Sequence, residues 1–480
     1  SATEIPVVGA LCGTATDSII LGVKVIGESN FVQGKNVVGG LIGMAIGNCE
    51  IQTVESNISV HATYRKGSGA TEFTDLIYEK SGDTTTISTA AVSYAGGIIG
   101  AVLASEENNM VVRTLKVSGA VSIGAERTGG IVAVNYAKLY DLNFVAQISS
   151  SNAKQELSGD DVIGGIVGIN FGSIDKTRLT YEGDDLTLVD KLSEGVSGGK
   201  TNLFIGTSNY IGGLVGKNID GKIVDSYNRV NVTNKNAEYA GAIVGYVKGG
   251  EFSSIYVTGS VSAKTAFGSA FGYLDKNVVT SKVNNIEKEV AKTISTFNNI
   301  VLLNNYTTTI AQSIRGGAKA GVIAGFVNAD YITDVFEPIS ISSNYSVSNL
   351  LLNLSGTGYQ QLEYFGSAKF DKMQIDEDEY KVRLENLNAF KYEAKDGTEM
   401  TFSWFNTTDD FVNASYGSLF KNKYTAFVTY DDNNWTKEAS TFPLLKITTQ
   451  ATEIVITDGN KEQLLSLIEN NPNSTFVIKC

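Results

Sequence analysis

The amino-acid sequence predicts an all-β protein, a right-handed parallel β-helix with loop and helix insertions and a C-terminal cap. Three observations support this fold class: a glycine-hydrophobic box that recurs along the chain, apolar-polar alternation between the boxes, and a composition that favours short strands and tight turns. The clearest box is Ile-Gly-Gly-Leu-Val-Gly at residues 211–216. A box of this kind, followed by a turn and further short strands, is typical of one coil of a solenoid.

The spacing of the boxes indicates stacked repeats. Successive boxes are 30, 57, 33, 35, 48, 29, 27 and 53 residues apart. A basic period near 30 residues with three longer steps is typical of a solenoid, in which each repeat contacts only its neighbours. Boxes at Gly241, Gly268 and Gly321 lack the second glycine and depart from the pattern. The first glycines of the boxes are Gly9, Gly39, Gly96, Gly129, Gly164, Gly212, Gly241, Gly268 and Gly321.

The stretches between boxes predict strands with one buried face. After the fourth box, apolar side chains occupy the even positions Tyr140, Leu142, Phe144 and Ala146, with mostly polar residues between them. This period of two is the signature of a half-buried strand, and coils built from such strands stack about 4.8 Å apart. A β-meander sandwich is the competing architecture, but it does not require a glycine box at near-constant spacing.

Composition limits the classes of partner. The formal net charge of −13 argues against nucleic acid or an anionic membrane surface as the partner. No apolar run reaches 18 residues, so no membrane insertion is predicted. Cys12, Cys49 and Cys480 form no disulfide framework, and the first two are expected to be free, buried residues. No signal peptide is visible, and because the chain opens almost inside the first box, we expect a fragment of a longer protein.

Three long steps between boxes predict insertions into single coils. Residues 62–92 are expected to form a surface loop or small hairpin, and residues 180–207 a loop rich in Gly, Ser and Asp. Residues 284–316 are predicted to be helical, from the spacing of Ile286, Val290, Ile294 and Phe297. Insertions in a solenoid often supply its binding face, although they can also be tolerated decorations. The binding residues predicted here are Tyr64, Arg65, Lys66, Asp184, Asp185 and Lys191.

The box fades towards the C-terminus, and we divide the chain into repeats at 1–345, terminal coils with an aromatic-rich cap at 346–447, and a helix-strand segment at 448–480. The acidic run 376–379 is expected to be a solvated loop, and its oxygen atoms are candidate ligands for calcium. No other cofactor is predicted. Residues 460–470 are predicted to form a helix capped by Asp458, followed by a strand at 474–478 that opens another domain.

Residues 212–227 resemble the GLUG motif of bacterial secreted and surface proteins, and residues 163–174 resemble it nearly as well. The resemblance covers residues 8–325 well, residues 345–447 poorly and residues 450–480 loosely. The Trp435-to-Leu444 segment is similar to the end of such arrays, and residues 462–478 resemble the lead-in to a further β-helix. The family includes large adhesin-like proteins and the region that precedes the catalytic domain of immunoglobulin A protease-type metallopeptidases. The resemblance therefore implies an extracellular or cell-surface location and a non-catalytic segment.

Candidate catalytic groups are few. His61 is the one histidine of the sequence, which excludes a zinc site of the His-Glu-any-any-His kind within it, and a structural role is expected. We predict neither catalytic nor metal-binding residues, and a host glycoprotein, a glycan or neighbouring domains as partners; any protease domain of the parent protein would lie elsewhere. The alternative is a polysaccharide lyase or hydrolase that uses paired carboxylates. The adjacent aspartate pairs lie at residues 160–161, 184–185, 409–410 and 431–432.

Overall fold

The computed structural model confirms the predicted fold class, because the chain forms a parallel β-helix built almost entirely of strands. Among the described residues, Glu377–Ala389 forms a helix. The structure describes residues 5–27, 30–64, 76–81, 84–88, 92–104, 110–147, 155–183, 203–275, 278–283, 286–291, 295–302, 317–328, 339–342, 345–346, 365–369, 376–389, 392–393, 399–400, 403–404, 430–436, 444–446, 454–456 and 476–478.

Two parallel sheets contain the boxes, and each box is split between them by a turn. Sheet 1 contains the first half of each box, in strands Val7–Gly9, Val37–Gly39, Tyr94–Gly96, Arg127–Gly129, Val162–Gly164, Tyr210–Gly212, Tyr239–Gly241, Ala266–Gly268 and Lys319–Gly321. Sheet 2 contains the second half, in strands Cys12–Thr16, Ile42–Ile46, Ile99–Leu103, Val132–Asn135, Val167–Asn170, Val215–Ile219, Val244–Lys248, Phe271–Asp275, Ala324–Asn328 and Phe365–Lys369. We number the coils 1 to 9 by the nine strands of sheet 1.

Two further parallel sheets complete the coils. The strands of sheet 3 are Ile19–Leu21, Lys24–Val25, Glu50–Ser56, Val111–Val117, Lys138–Ala146, Ser173–Asp175, Arg178–Tyr181, Lys222–Asn228, Gly250–Val257, Ser295–Leu302, Ile339–Ser342, Tyr345–Ser346 and Ser403–Trp404. Sheet 4 is shorter, with strands Phe31–Gly34, Ser59–Ala62, Ser122–Gly124, Glu156–Gly159 and Phe204–Gly206. In coils 6 and 7 the same place along the chain is taken by the parallel pair Val232–Thr233 and Val261–Ser262.

All nine predicted boxes lie in register. The first glycines pair from Gly9 with Gly39 through to Gly268 with Gly321, so the boxes without a second glycine belong to the same stack. The strand Phe365–Lys369 extends sheet 2 beyond coil 9, with Phe365 opposite Ala324. The sequence periodicity therefore identifies each coil of sheet 1 correctly.

The first glycine of each box is required by the turn between sheets 1 and 2. A Cβ added at Gly212 would overlap the carbonyl oxygen of Val215, and the same overlap recurs at Gly39 with Ile42. Because these oxygens belong to the backbone, no side-chain movement can make room. The second glycine faces a different obstacle, since a Cβ at Gly213 would overlap the carbonyl oxygen of Ala242 in the next coil.

Sheet 3 contains a column of left-handed residues that the sequence does not reveal. One column of paired residues in sheet 3 runs from Ile51 through Val112 to Phe297. Each left-handed residue lies two positions after a member of that column. Each kink shifts the alternation by one residue, so that Leu139 and Leu142 both point into the core. The predicted alternation through Tyr140 is thus wrong at its first position, because Tyr140 is half-buried outside the core. The left-handed residues of this column are Gly22, Thr53, Thr114, Asp141, Lys176, Asp225, Ser254 and Asn299.

The interior combines a continuous apolar core with one polar ladder. Aliphatic and aromatic residues of all four sheets form a single buried cluster along the axis. At the turn between sheets 2 and 3 of coils 4 to 6, the amide of Asn135 donates to Asn170, and that of Asn170 donates to Asn218, both at 2.8 Å. Each amide also donates to a nearby backbone carbonyl, so these buried groups are satisfied.

The insertions differ in how well they follow the predictions. Residues 62–92 contain the antiparallel hairpin Ile77–Ser81 with Thr84–Ser88, which confirms the hairpin expectation. The helix predicted in 284–316 is wrong: Val278–Val283 pairs antiparallel with Ile286–Ala291, and Ser295–Leu302 is a strand of sheet 3. The cause is that a spacing of four residues is also a multiple of the strand period of two. Most of 180–207 lies outside the described residues.

The C-terminal part is described in short pieces. The acidic run forms the start of the helix Glu377–Ala389 rather than the expected loop, because the Asp376 carboxylate accepts a hydrogen bond from the Glu379 amide at 2.8 Å. Acidic side chains there also interact favourably with the helix dipole. Residues 444–445 pair with 435–436, and 399–400 with 392–393. Ile454–Ile456 pairs in parallel with Phe476–Ile478, which confirms the predicted strand; the predicted helix 460–470 lies outside the described residues. The division at 345 and 447 stays a prediction.

We expect substitution of a first box glycine to destabilise the solenoid strongly. In Gly212→Ala the new Cβ would overlap backbone in the centre of the stack, and a loss of about 3 kcal/mol or more in the free energy of unfolding is expected. The matched control is Gly183→Ala, where a Cβ meets nothing within 4 Å and only the positive φ of 65° is strained, at a cost of about 1 kcal/mol. Thermal unfolding followed by circular dichroism compares the two variants, and equal midpoints would contradict the overlap.

Candidate functional site

Coils 6 to 9 carry a group of aromatic side chains on the outer face of sheets 1 and 2. The sheet 1 strands contribute their first residue, which alternates with core residues such as Ile211. The sheet 2 strands contribute their third residue, which precedes core residues such as Val247. All five rings are half-buried and keep part of their surface exposed. We call this group the aromatic surface; it consists of Tyr210, Tyr239, Tyr246, Tyr273 and Phe326.

The rings of the aromatic surface stack in two columns along the solenoid. Tyr210 and Tyr239 are stacked with centroids 5.7 Å apart. In the second column Tyr246, Tyr273 and Phe326 follow one another, with centroid distances of 5.4 and 4.8 Å and interplanar angles of 10° and 19°. Tilted contacts join the columns, such as Tyr210 to Tyr246 at 4.8 Å. Because the ring faces in each column cover one another, the exposed portion consists mainly of ring edges and hydroxyl groups.

Polar groups complete the aromatic surface. The Tyr246 hydroxyl donates to Asp275 Oδ2 at 2.6 Å, and the Asn328 amide donates to Asp275 Oδ1 at 3.2 Å. Lys217 Nζ lies 5.3 Å from the centroid of the Tyr246 ring, within the range of a cation–π interaction. Burial, reinforced by the Asp275 carboxylate, raises the pKa of Tyr246 well above its ordinary value, and burial likewise raises the pKa of Tyr210. These hydroxyls are therefore hydrogen-bond donors throughout the physiological pH range.

The same outer face is covered in coils 2 to 5. There the hairpin of residues 77–88, together with Leu76, packs on a second apolar cluster separate from the interior core. Leu76 and Tyr78 of this segment are buried. The Tyr136 hydroxyl donates to the Leu76 carbonyl at 2.7 Å, and the Tyr136 ring stacks on Phe171 at 4.4 Å. We call this the outer cluster; it contains Val37, Met44, Leu76, Tyr78, Val92, Tyr94, Ala101, Leu103, Ala133, Val134, Val162 and Ile169.

A third group of side chains lies on the outer face of sheet 3. Burial raises the pKa of Asp141, Asp175 and Asp225, which belong to successive coils. Arg178 forms an ion pair with Asp141 at 2.7 Å. Lys176 Nζ lies 5.2 Å from the centroid of the Tyr140 ring.

The sheet 3 group is engaged by a distant segment of the chain. The Trp435 indole nitrogen donates to Asp225 Oδ1 at 2.6 Å, and Lys176 Nζ donates to the Lys446 carbonyl at 3.0 Å. The Trp435 ring packs against Tyr227, Tyr256 and Tyr430. The Trp435 end of the predicted cap therefore lies along the side of coils 5 to 7, whereas its strands Phe365–Lys369 and Ser403–Trp404 extend sheets 2 and 3 at the end of the solenoid. We call Trp435–Thr436 with Leu444–Leu445 the Trp435 hairpin.

The structure does not bring the predicted binding residues together. Tyr64 is half-buried, and its backbone amide donates to the Lys35 carbonyl at 2.9 Å. The other predicted binding residues lie outside the described part of the chain: Arg65, Lys66, Asp184, Asp185 and Lys191.

The aspartate pairs that the structure describes make contacts within the protein itself. Asp161 is buried in an ion pair with Arg127 at 2.9 Å, and Asp431 accepts from the Asn433 amide at 2.9 Å within a turn. The pairs at 184–185 and 409–410 lie outside the described residues.

His61 is half-buried in sheet 4 opposite Gln33 and Gly124. Cys12 and Cys49 are free as predicted, although Cys12 is only half-buried. Within the described residues, no set of three metal-ligating side chains occurs, and no helix is long and apolar enough to span a bilayer.

The sequence does contain a signal for the aromatic surface. Tyr210 and Tyr239 each precede the first glycine of their box by two residues. Tyr246, Tyr273 and Phe326 each follow it by five. Constant offsets in a solenoid place side chains in one column, so counting from the box glycine would find both columns.

Comparison of the chain with protein-family models, curated proteins and solved structures found no significant match. The resemblance of the boxes to the GLUG motif therefore stays a prediction.

We expect the Trp435 hairpin to be released when its indole anchor is removed. Trp435→Ala removes the ring contacts and the donor to Asp225, whereas Trp435→Phe keeps most of the apolar contact and removes only the donor. Limited proteolysis should cut the alanine variant near residues 430–446 at least tenfold faster than the wild type, with the phenylalanine variant between them, since accessible chain is cleaved first. Identical cleavage patterns would show that the hairpin does not depend on this side chain.

Asp225 should make stability depend on pH in a defined direction. Because burial raises its pKa in the folded chain, the folded state holds the proton at a pH where the unfolded chain has lost it. Stability contributed by this group therefore increases as the pH falls from 7 towards the ordinary carboxyl value. Asp225→Asn removes the titration, so the wild-type melting midpoint should rise relative to that of the variant between pH 7 and 4. A constant or opposite difference would contradict the assignment.

Proposed function

We propose that this chain is a non-catalytic stalk and recognition segment of a large exported bacterial surface protein, and that it binds its partner through the aromatic surface. The observation that supports the proposal is the array of four tyrosines and one phenylalanine on a solenoid whose coils are joined by parallel hydrogen bonding. The GLUG-like boxes support export to the extracellular space or cell surface. Proteins that expose contiguous aromatic patches commonly use them for interaction.

The solenoid suits this role because it holds side chains at fixed spacing. Nine boxes in register form a rod of about 40 Å at the ordinary strand separation of about 4.8 Å. Tyrosine loses little conformational entropy when it contacts a partner, because it has few rotatable bonds and is amphipathic. Rings already stacked on their neighbours lose even less, so the aromatic surface is preorganised for binding.

The partner class follows from the surface chemistry. Ring edges, hydroxyl donors, one lysine and one carboxylate suit a ligand that combines apolar surface with hydrogen-bond acceptors, as a host glycoprotein or glycan does. A neighbouring domain of the same protein would present the same chemistry. Two forms of the proposal share this contact: an adhesin-like rod, and the substrate-holding region of a secreted metallopeptidase.

A polysaccharide lyase or hydrolase is the alternative, and the outer face of sheet 3 is the observation that favours it. Asp141, Asp175 and Asp225 have raised pKa values on successive coils, as a general acid requires. However, Arg178 pairs with Asp141 and Trp435 donates to Asp225, so two of these carboxyl groups are already engaged by other side chains of the chain. Release of reducing ends or unsaturated sugars from a glycan panel, abolished by Asp175→Asn, would establish catalysis in place of pure recognition.

Recognition through the aromatic surface can be measured directly. The chain is tested against a glycan array and host glycoproteins, including immunoglobulin A, and Tyr246→Ser/Tyr273→Ser is expected to weaken saturable binding at least tenfold, because paired aromatic side chains act as binding hot spots. Tyr140→Ser, which changes a half-buried tyrosine of sheet 3 outside the aromatic surface, is the control and should bind normally.

Two results would contradict the proposal. If the chain binds no member of the panel while circular dichroism shows an intact fold, the recognition role is rejected and the chain acts only as a spacer. Equal binding by the serine double variant and the wild type places the contact elsewhere on the chain.

A further inference from the structure

We infer that the aromatic surface binds a partner polypeptide in the form of a β-hairpin with one apolar face, laid across the outside of coils 6 to 9. The inference rests on the proposed recognition function and specifies the class of partner. It follows from the way in which the chain already covers the equivalent face of coils 2 to 5.

The chain's own hairpin shows what this outer face accepts. Tyr78 and Ile87 lie opposite each other on its two strands, and they pack towards the solenoid together with Leu76. The residues beneath them are outward-facing members of sheets 1 and 2, such as Met44 and Val134. These positions lie in the same columns as the aromatic surface, because Met44 pairs through successive coils with the position of Lys217 and Tyr246.

The two regions are continuous. Tyr210 belongs to the aromatic surface, and it also packs against the outer cluster beneath the hairpin. Tyr136 and Phe171 stack at the junction in coils 4 and 5. A second hairpin placed after the first would therefore extend an existing interface along the rod rather than create one on an unrelated face.

The hydrogen-bonding chemistry also fits a polypeptide. At the covered end, the Tyr136 hydroxyl donates to a main-chain carbonyl of the hairpin segment. The aromatic surface presents tyrosine hydroxyls of the same kind, at Tyr210 and Tyr239. Main-chain carbonyls along a strand recur at a regular rise and so can meet a row of such donors.

Ring orientation distinguishes this partner from a sugar chain. A pyranose ring that stacks on an aromatic side chain needs an exposed ring face. In the column Tyr246–Tyr273–Phe326 the middle ring has both faces covered by its neighbours at 5.4 and 4.8 Å. The exposed edges instead suit the aromatic side chains of a strand, whose ring faces they can contact edge-to-face, and its aliphatic side chains, which make non-directional apolar contacts.

The test uses a labelled probe derived from the chain itself. A backbone-cyclised peptide of residues 76–88 presents Leu76, Tyr78 and Ile87 on one face, and a matched peptide carries serine at these positions. Fluorescence anisotropy with the full chain should show saturable binding of the first probe and at least tenfold weaker binding of the second. Tyr246→Ser/Tyr273→Ser should weaken binding of the first probe at least tenfold, and Tyr140→Ser should leave it unchanged.

A second variant covers the case in which the serine double variant does not fold. Tyr210→Phe/Tyr239→Phe keeps the ring stack and removes only hydroxyl donors, so its melting midpoint should match that of the wild type while the probe binds several-fold more weakly. Failure of the apolar probe to bind the wild type, or equal binding by all tyrosine variants, would overturn the inference. Displacement of the probe by soluble cello-oligosaccharides at the same site would overturn it as well, since a glycan would then be the ligand class.

The outcome separates this inference from the proposed function. Glycoprotein binding that survives enzymatic deglycosylation supports a polypeptide ligand. Glycoprotein binding that is lost on deglycosylation, together with a probe that does not bind, keeps the recognition function and rejects the hairpin. Absence of binding by both the probe and the panel rejects both.

Discussion

The turn between sheets 1 and 2 is the constraint on which the rest of the structure depends. At each box the chain turns so tightly that the first glycine lies against a backbone carbonyl three residues later, with no room for a Cβ. The last glycine of the box is confined by the neighbouring coil, since a Cβ at Gly245 would lie 2.7 Å from the Gly216 carbonyl oxygen. One sequence element therefore sets both the corner within a coil and the approach between coils. Repeated nine times in register, it determines the direction of sheets 1 and 2 along the whole rod.

The outer surface is free to differ from coil to coil because the interior is closed by other residues. The inward positions carry a continuous apolar core, and the hydrogen bonds of the asparagine ladder satisfy buried polar groups at the turn between sheets 2 and 3 in coils 4 to 6. The outward positions of sheets 1 and 2 then vary from Met44 and Val134, under a hairpin, to Tyr246 and Tyr273 on the aromatic surface. The proposed recognition would therefore require no change in the elements that hold the fold, which is how solenoids separate stability from binding.

Sequence periodicity predicted the fold far better than it predicted the site. The box glycines identified every coil of sheet 1, including those at Gly268 and Gly321 where the motif is degenerate, because a steric requirement leaves a residue-specific trace. The kinks of sheet 3 left no such trace, since residues as different as Lys176 and Ser254 occupy the left-handed position. The contact of Trp435 with Asp225 joins residues 210 positions apart, and no local pattern can reveal it. The helix prediction for the insertion at 284–316 failed for another reason, because residues four positions apart lie on the same face in both a helix and a strand.

The aromatic surface is stable in the absence of a partner because its rings and hydroxyls satisfy one another. Stacking covers the apolar ring faces, and the hydrogen bonds of Tyr246 and Asn328 to Asp275 hold the second column at the end of its strands. The exposed part is consequently a row of edges and donors rather than bare hydrocarbon, which limits non-specific association. At the outer cluster, aliphatic residues such as Met44 and Val134 have no hydrogen-bonding groups in their side chains, and there the chain supplies its own hairpin. The contrast between a covered, mainly aliphatic region and a partly exposed aromatic one, in the same two columns of one rod, is why we propose coils 6 to 9 as the binding region.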